Sequence, residues 1–193
     1  MSIPRSGPPL TSTRMADPRP LLTVLFVTYL LLLAWIILWK LEPPYIGAAA
    51  GLPRPLKLVP FVSTEDDGAS TPLELLVNLA LFVPFGAYLG LLLPGALGSK
   101  VWPAAIILSA SSLILEVTQH LLSIGSFDTT DVIVNTAGGM LGFGLLVMIR
   151  RRLGPATAPV MVRALTIGTA LAVAAVVIVI ASPRLCAIHP RTT

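Results

Sequence analysis

Five long apolar runs separated by polar breaks organise the chain: 21–39, 73–93, 101–122, 132–149 and 163–182. Each approaches the roughly 20 residues that a helix needs to cross a hydrocarbon core. Backbone amides cannot stay unpaired in lipid, and these runs are too long for barrel strands, so the pattern predicts helices. Residues 1–20 are polar and proline-rich and predict a cytoplasmic tail without a fold; 183–193 predict a short tail on the other side. The first run follows a basic stretch, as the core of a signal peptide does. Its 19 apolar residues exceed that length, and the small Ala48-Ala49-Ala50 stretch comes too late for cleavage. The run therefore predicts a membrane anchor.

Charge sets the expected orientation. The N-terminal tail, the turn at Lys100 and the loop bearing Arg150, Arg151, Arg152 and Arg163 hold eight Lys and Arg. The opposite side holds five: Lys40, Arg54, Lys57, Arg184 and Arg191. The richer side is expected in the cytoplasm, which puts the N-terminus inside and the C-terminus outside a bacterial plasma membrane. The first outer loop carries Pro43, Pro44, Pro53, Pro55, Pro60 and Pro72, then Glu65, Asp66 and Asp67. It either hugs the surface or folds over the helix ends as a lid, and its residues leave both open.

Composition agrees with this picture. Of 193 residues, 11% are charged and 55% hydrophobic, and the mean hydropathy is +0.88. A soluble domain carries about 25% charged residues, so the fold class expected is all-α, a polytopic membrane helical bundle of about five transmembrane helices. The formal net charge of +4 follows from basic residues flanking apolar runs, not from a nucleic-acid surface. Cys186 is the single cysteine, and His120 and His189 are the two histidines. They exclude a disulfide within the chain and a Cys- or His-rich metal site.

The polar positions concentrate in the middle three runs. In the second, Glu74 and Asn78 are four apart and share a helix face. Pro84 follows within the apolar run, where it frees the carbonyl of Ala80, and Gly86 lies just beyond it. In the third, Ser109, Ser112, Glu116, Gln119 and His120 fall within about 100° of arc. Such a stripe belongs inside a bundle. In the fourth, Asp128 and Asp131 open the helix, and Asp131, Asn135, Gly138 and Gly142 share a face. The GxxxG spacing of Gly138 and Gly142 admits a close neighbour. Asn78 lies roughly 7 Å from its helix end, Glu116 roughly 9 Å and Asn135 roughly 6 Å. All three ends face the same side, so one polar layer under the outer surface is expected.

The stretch Glu74-Leu-Leu-Val-Asn78-Leu-Ala-Leu-Phe82-Val-Pro84-Phe85-Gly86, the pair Glu116 and Gln119, and Asp128-Thr-Thr-Asp131-Val-Ile-Val-Asn135-Thr-Ala-Gly138 together resemble the VanZ-like family of bacterial membrane proteins. The resemblance covers residues 74–142, a little over a third of the chain. It implies a protein of the cell envelope, and the family's name member is associated with resistance to the glycopeptide antibiotic teicoplanin. It supplies no molecular mechanism.

The residues themselves leave several readings open. A charge at Glu116 would cost about 2.5–3.5 kcal/mol to insert at mid-membrane, so the group must be neutralised, paired or wet. A Glu116–Asn78–Asn135 hydrogen-bond cluster that only fixes packing competes with a ligand site built from Glu74, Asn78, Glu116, Gln119, His120, Asp128, Asp131 and Asn135. Asp128 with Asp131 also reads as a helix N-cap. Pro84, Gly86, Gly138 and Gly142 read as shape and packing residues. No cofactor or metal is expected. The partners expected are membrane lipids, an envelope lipid or glycopeptide ligand, and a second copy of the chain through Gly138 and Gly142. The leading expectation is a non-catalytic binding protein. An intramembrane acid–base enzyme using Glu116, Asp131 and His120, or a small transporter subunit, stays open.

Overall fold

The computed structural model describes residues 18–40, 46, 56–62, 70–93 and 100–181. Most of the N-terminal tail, the acidic Glu65, Asp66 and Asp67, and the C-terminal tail with Cys186 and His189 lie outside the described residues. Five helices follow in order: α1 (Arg19–Trp39), α2 (Pro72–Leu92), α3 (Val101–Leu121), α4 (Thr129–Leu153) and α5 (Thr157–Ala181). Two short strands, β1 (Leu56–Lys57) and β2 (Phe127–Asp128), pair in parallel, with Leu56 opposite Phe127 and Lys57 opposite Asp128.

Among the described residues, four helical stretches are long and apolar enough to cross a membrane: Arg19–Trp39, Pro72–Leu92, Val101–Leu121 and Thr129–Ile178. The last is 50 residues long, enough for two crossings at about 1.5 Å per residue. It breaks at a 3-10 turn, Gly154–Ala156, where Gly154 takes a φ of +50°. The molecule is thus an all-α membrane bundle whose last two spans are joined by one tight turn. The apolar runs end at 149 and restart at 163, but the helices reach Leu153 and restart at Thr157. Arginine is a good helix former, and Arg150, Arg151 and Arg152 fill the last turn of α4, where the helix dipole favours cations. Arg150 also donates to the Gly90 carbonyl, one of the last acceptors of α2. At the other end of the chain, helix begins already at Arg19, with Pro20 in its first turn.

The centre of the bundle is α4, with α2 and α3 packed against it. A Cβ on Gly138 would stand 2.1 Å from the Leu79 carbonyl oxygen, and one on Gly142 would stand 1.8 Å from that of Val83. Gly86 returns the approach against the Gly139 carbonyl. Backbone therefore meets backbone along this seam. The expectation that Gly138 and Gly142 serve contact between copies is corrected, because α2 fills that face. Helix α2 passes unbroken through Pro84. The hydroxyl of Tyr29 donates to the carbonyl of Leu81, one residue along from the acceptor expected at Ala80. Phe26, Tyr29, Phe82, Phe85 and Tyr88 gather there, with ring centroids 5.3 to 5.8 Å apart. The Tyr88 hydroxyl meets the Thr169 hydroxyl at 2.8 Å, tying α5 to this core.

Candidate functional site: a buried acceptor cluster at the helix ends

The N-termini of α2 and α4 and the C-termini of α1 and α3 come together at one end of the bundle. Three contacts mark this end: Gln119 donates to the Ile37 carbonyl at 2.9 Å, Lys40 stands 4.0 Å from Glu74, and β1 pairs with β2. Local chemistry starts the helices. Thr71 and Glu74 form a reciprocal capping box on α2. Asp128 caps α4, accepting from the Thr130 amide at 2.7 Å, and Asp131 sits in the first turn. The reading of Asp128 as N-cap with Asp131 in the first turn is therefore correct, and it occupies only one oxygen of Asp128.

Glu116 lies beneath this cap, 1% exposed. Its Oε2 accepts the backbone amide of Asp128 at 3.0 Å. One turn deeper, the Asn135 amide donates to the Ser112 hydroxyl at 3.0 Å. These are two rungs of one ladder: Ser112 and Glu116 are four apart on α3, and their partners Asn135 and Asp128 are seven apart, two turns along α4 and its cap. Asn78 reaches across from α2 to hydrogen-bond the Asp131 carboxylate. The expected Glu116–Asn78–Asn135 cluster is thus corrected. The three residues do meet at the α2–α3–α4 junction, but each bonds a different partner.

The bonding is incomplete. Among the described residues, Glu116 Oε1, Asp131 Oδ1, Asn135 Oδ1 and His120 Nδ1 are buried with no hydrogen-bond partner. Buried polar atoms are paired in the great majority of cases, so four orphans in one neighbourhood form an unusual concentration. His120 stands one turn above Glu116 but makes no hydrogen bond to it. Gln119 spends its amide on clamping α3 to α1. Glu74 is about half-exposed and serves the α2 cap, so it stands at the rim and not in the buried cluster.

The segment 56–62, between α1 and α2, supplies what sequence reasoning missed. Lys57 is 5% exposed, and its ammonium lies 3.9 Å from Asp128 Oδ2. Ser70 donates to the same oxygen at 3.2 Å. The Phe61 amide donates to the Thr130 hydroxyl at 3.0 Å, with Phe61 at a φ of +62°, where side chains are disfavoured. The segment 56–62 therefore folds over the helix ends, as the lid reading has it for these residues. Lys57 counted in the sequence only as one positive charge of an outer loop. Its one distinguishing signal was alternation, a lysine between Leu56 and Leu58.

The VanZ/LLP1 family profile matches residues 26–150, which contain every residue of the cluster. Over 121 residues the chain is 34% identical to Protein VanZ of Enterococcus faecium, an alignment that spans 63% of this chain and 70% of that protein. No solved structure matches.

Proposed function

The chain belongs to the VanZ/LLP1 family of membrane proteins, and on that premise we propose that it holds the polar head of an envelope lipid or lipid-linked precursor at the Glu116 cluster. The single observation behind this reading is the buried Glu116 carboxylate, with one oxygen on the Asp128 amide and the other unpartnered. A purely structural carboxylate at this depth would be selected to pair both oxygens, because an unpaired buried polar atom costs about 1–3 kcal/mol. A carboxylate that receives a ligand keeps one oxygen open.

In this reading the site faces the outer side of the plasma membrane, with the N-terminus in the cytoplasm. The distribution of Lys and Arg supports that orientation. Segment 56–62 covers the entrance, and Lys57 with Asp128 forms its latch. The head group enters beside this segment while its chains stay in lipid against the apolar outer faces of the helices. Binding of this kind would alter how envelope precursors or glycopeptide antibiotics meet the membrane surface.

Glu116→Ala, with expression matched to wild type, tests the reading. The expected result is loss of the protein's effect on envelope composition and antibiotic susceptibility. An unchanged profile in that variant removes the proposal. A lipid whose mass changes only when active protein is present would replace it with the acid–base enzyme, since Glu116 and Asp131 each present an open oxygen.

A further inference from the structure

We infer that the Glu116–Asp131–Asn135 cluster is a binding site for a primary ammonium group, the inference resting on the ligand-binding reading above and naming the chemistry of its ligand. The argument begins with an inventory. Three of the four buried atoms without a partner are oxygens, and an amide oxygen or an ionised carboxylate oxygen accepts hydrogen bonds and does not donate them. The fourth, His120 Nδ1, accepts in one tautomer. Apart from His120 Nδ1, which donates in its other tautomer, no buried side-chain donor stands unpartnered among the described residues. The three oxygens therefore call for an occupant that brings donors.

Charge narrows the class. Glu116 and Asp131 each contribute a carboxyl group to the cluster, and Asp128 adjoins them close enough to interact with both. A phosphate or carboxylate placed among them meets like charge. A quaternary ammonium carries the right charge but has no N–H to give. A sugar hydroxyl gives a proton but offsets no charge. A primary ammonium does both, carrying a positive charge and three donors. A metal ion is the remaining cationic candidate, but no group of three His, Cys, Asp or Glu among the described residues is arranged to hold one.

The protein already solves this problem once, next door. Lys57 is drawn in from a loop to 5% exposure, and its ammonium faces Asp128 at 3.9 Å, beside the Ser70 hydroxyl. That burial is costly unless carboxylates recompense it. The rim of the site thus binds an ammonium of the chain itself, and the orphaned oxygens one turn deeper are set to bind a second from outside. An amine on a membrane amphiphile and a free amino sugar share this chemistry, and the experiment separates them.

Full-length protein is placed in nanodiscs with equal amounts of phosphatidylethanolamine, phosphatidylcholine and phosphatidylglycerol, and retained lipids are counted by native mass spectrometry. The expected result is one phosphatidylethanolamine per chain, enriched over phosphatidylcholine by about tenfold or more, the scale of one charge-assisted hydrogen bond. Glu116→Gln and Asp131→Asn keep size and still accept one hydrogen bond, but each turns an acceptor toward a donor. Both should abolish the enrichment, while Gly144→Ala, at a position with open space around it, should retain it. Displacement of the lipid by excess glucosamine assigns the natural ammonium to a soluble sugar, and resistance to it assigns a lipid; either supports the site. Equal retention of the ethanolamine and choline lipids overturns the inference, as does enrichment that survives both substitutions. Selective phosphatidylglycerol retention lost in Glu116→Gln overturns the ammonium site but leaves the head-group proposal standing. No selective retention of any lipid, with an unchanged envelope profile in Glu116→Ala, removes both.

Discussion

Glu116 and Lys57 carry opposite lessons about single residues. A carboxyl group inside an apolar helix is conspicuous because its insertion needs a reason, and Glu116 does occupy the junction of three helices. A lysine in a proline-rich outer loop looks like any solvated charge, so the burial of Lys57 was not legible. It depends on a strand pairing between residues about 70 apart in the chain, Leu56 with Phe127 and Lys57 with Asp128. The consequence is testable. Lys57→Met removes one partner of a buried pair and leaves the other charge unmatched, a loss of about 3–5 kcal/mol where burial is complete. Chemical unfolding of purified protein should show that destabilisation, and adding Asp128→Asn should restore much of it. Two losses that simply add would mean that Lys57 and Asp128 do not act as a pair. The exposed pair of Lys40 and Glu74, at 4.0 Å, is different: Lys40→Ala should change stability by less than about 1 kcal/mol in the same measurement.

Among the elements, the helices were legible because hydropathy and length are local properties. The break between the last two spans was legible, but not its place or its tightness, since the arginines that mark the membrane boundary also continue the helix, and only Gly154 and Pro155 interrupt it. The GxxxG face was legible as a place of close approach, but its partner was not. Sequence spacing says that backbone comes near Gly138 and Gly142, not whose backbone it is. The structure answers with α2, through the carbonyls of Leu79 and Val83. Gly138→Ala should therefore force α2 and α4 apart and cost about 1–3 kcal/mol or more, the range of overpacked cores. Gly144→Ala, on the same helix with nothing within 4 Å, should be neutral or slightly stabilising. Thermal unfolding of the two variants in one detergent compares them directly. Equal melting temperatures would show that the α2–α4 seam is looser than its backbone contacts require.

For the whole molecule, the arrangement resembles a socket: three spans hold unpartnered acceptors, and the segment 56–62 lies across the top. Its expected direction is outward. A single cysteine at Ser126 in a Cys186→Ser background should react with a membrane-impermeant maleimide added to intact cells, and a cysteine at Gly154 should not. The reverse pattern would place the socket in the cytoplasm and remove any role at the outer face. That Asn78, Glu116 and Asn135 lie toward the same end of the bundle was legible from counting residues along each helix, because rise per residue is fixed. The way the layer divides into rungs was not, because side-chain pairing depends on how the helices rotate against one another. The most direct test of the account is the lipid that the protein carries. Wild-type protein and Glu116→Ala, expressed at equal levels and purified gently from the same host, are compared by mass spectrometry of their bound lipids. The account predicts one tightly held amphiphile per wild-type chain and none in the variant; the same lipid at the same stoichiometry in both would contradict it.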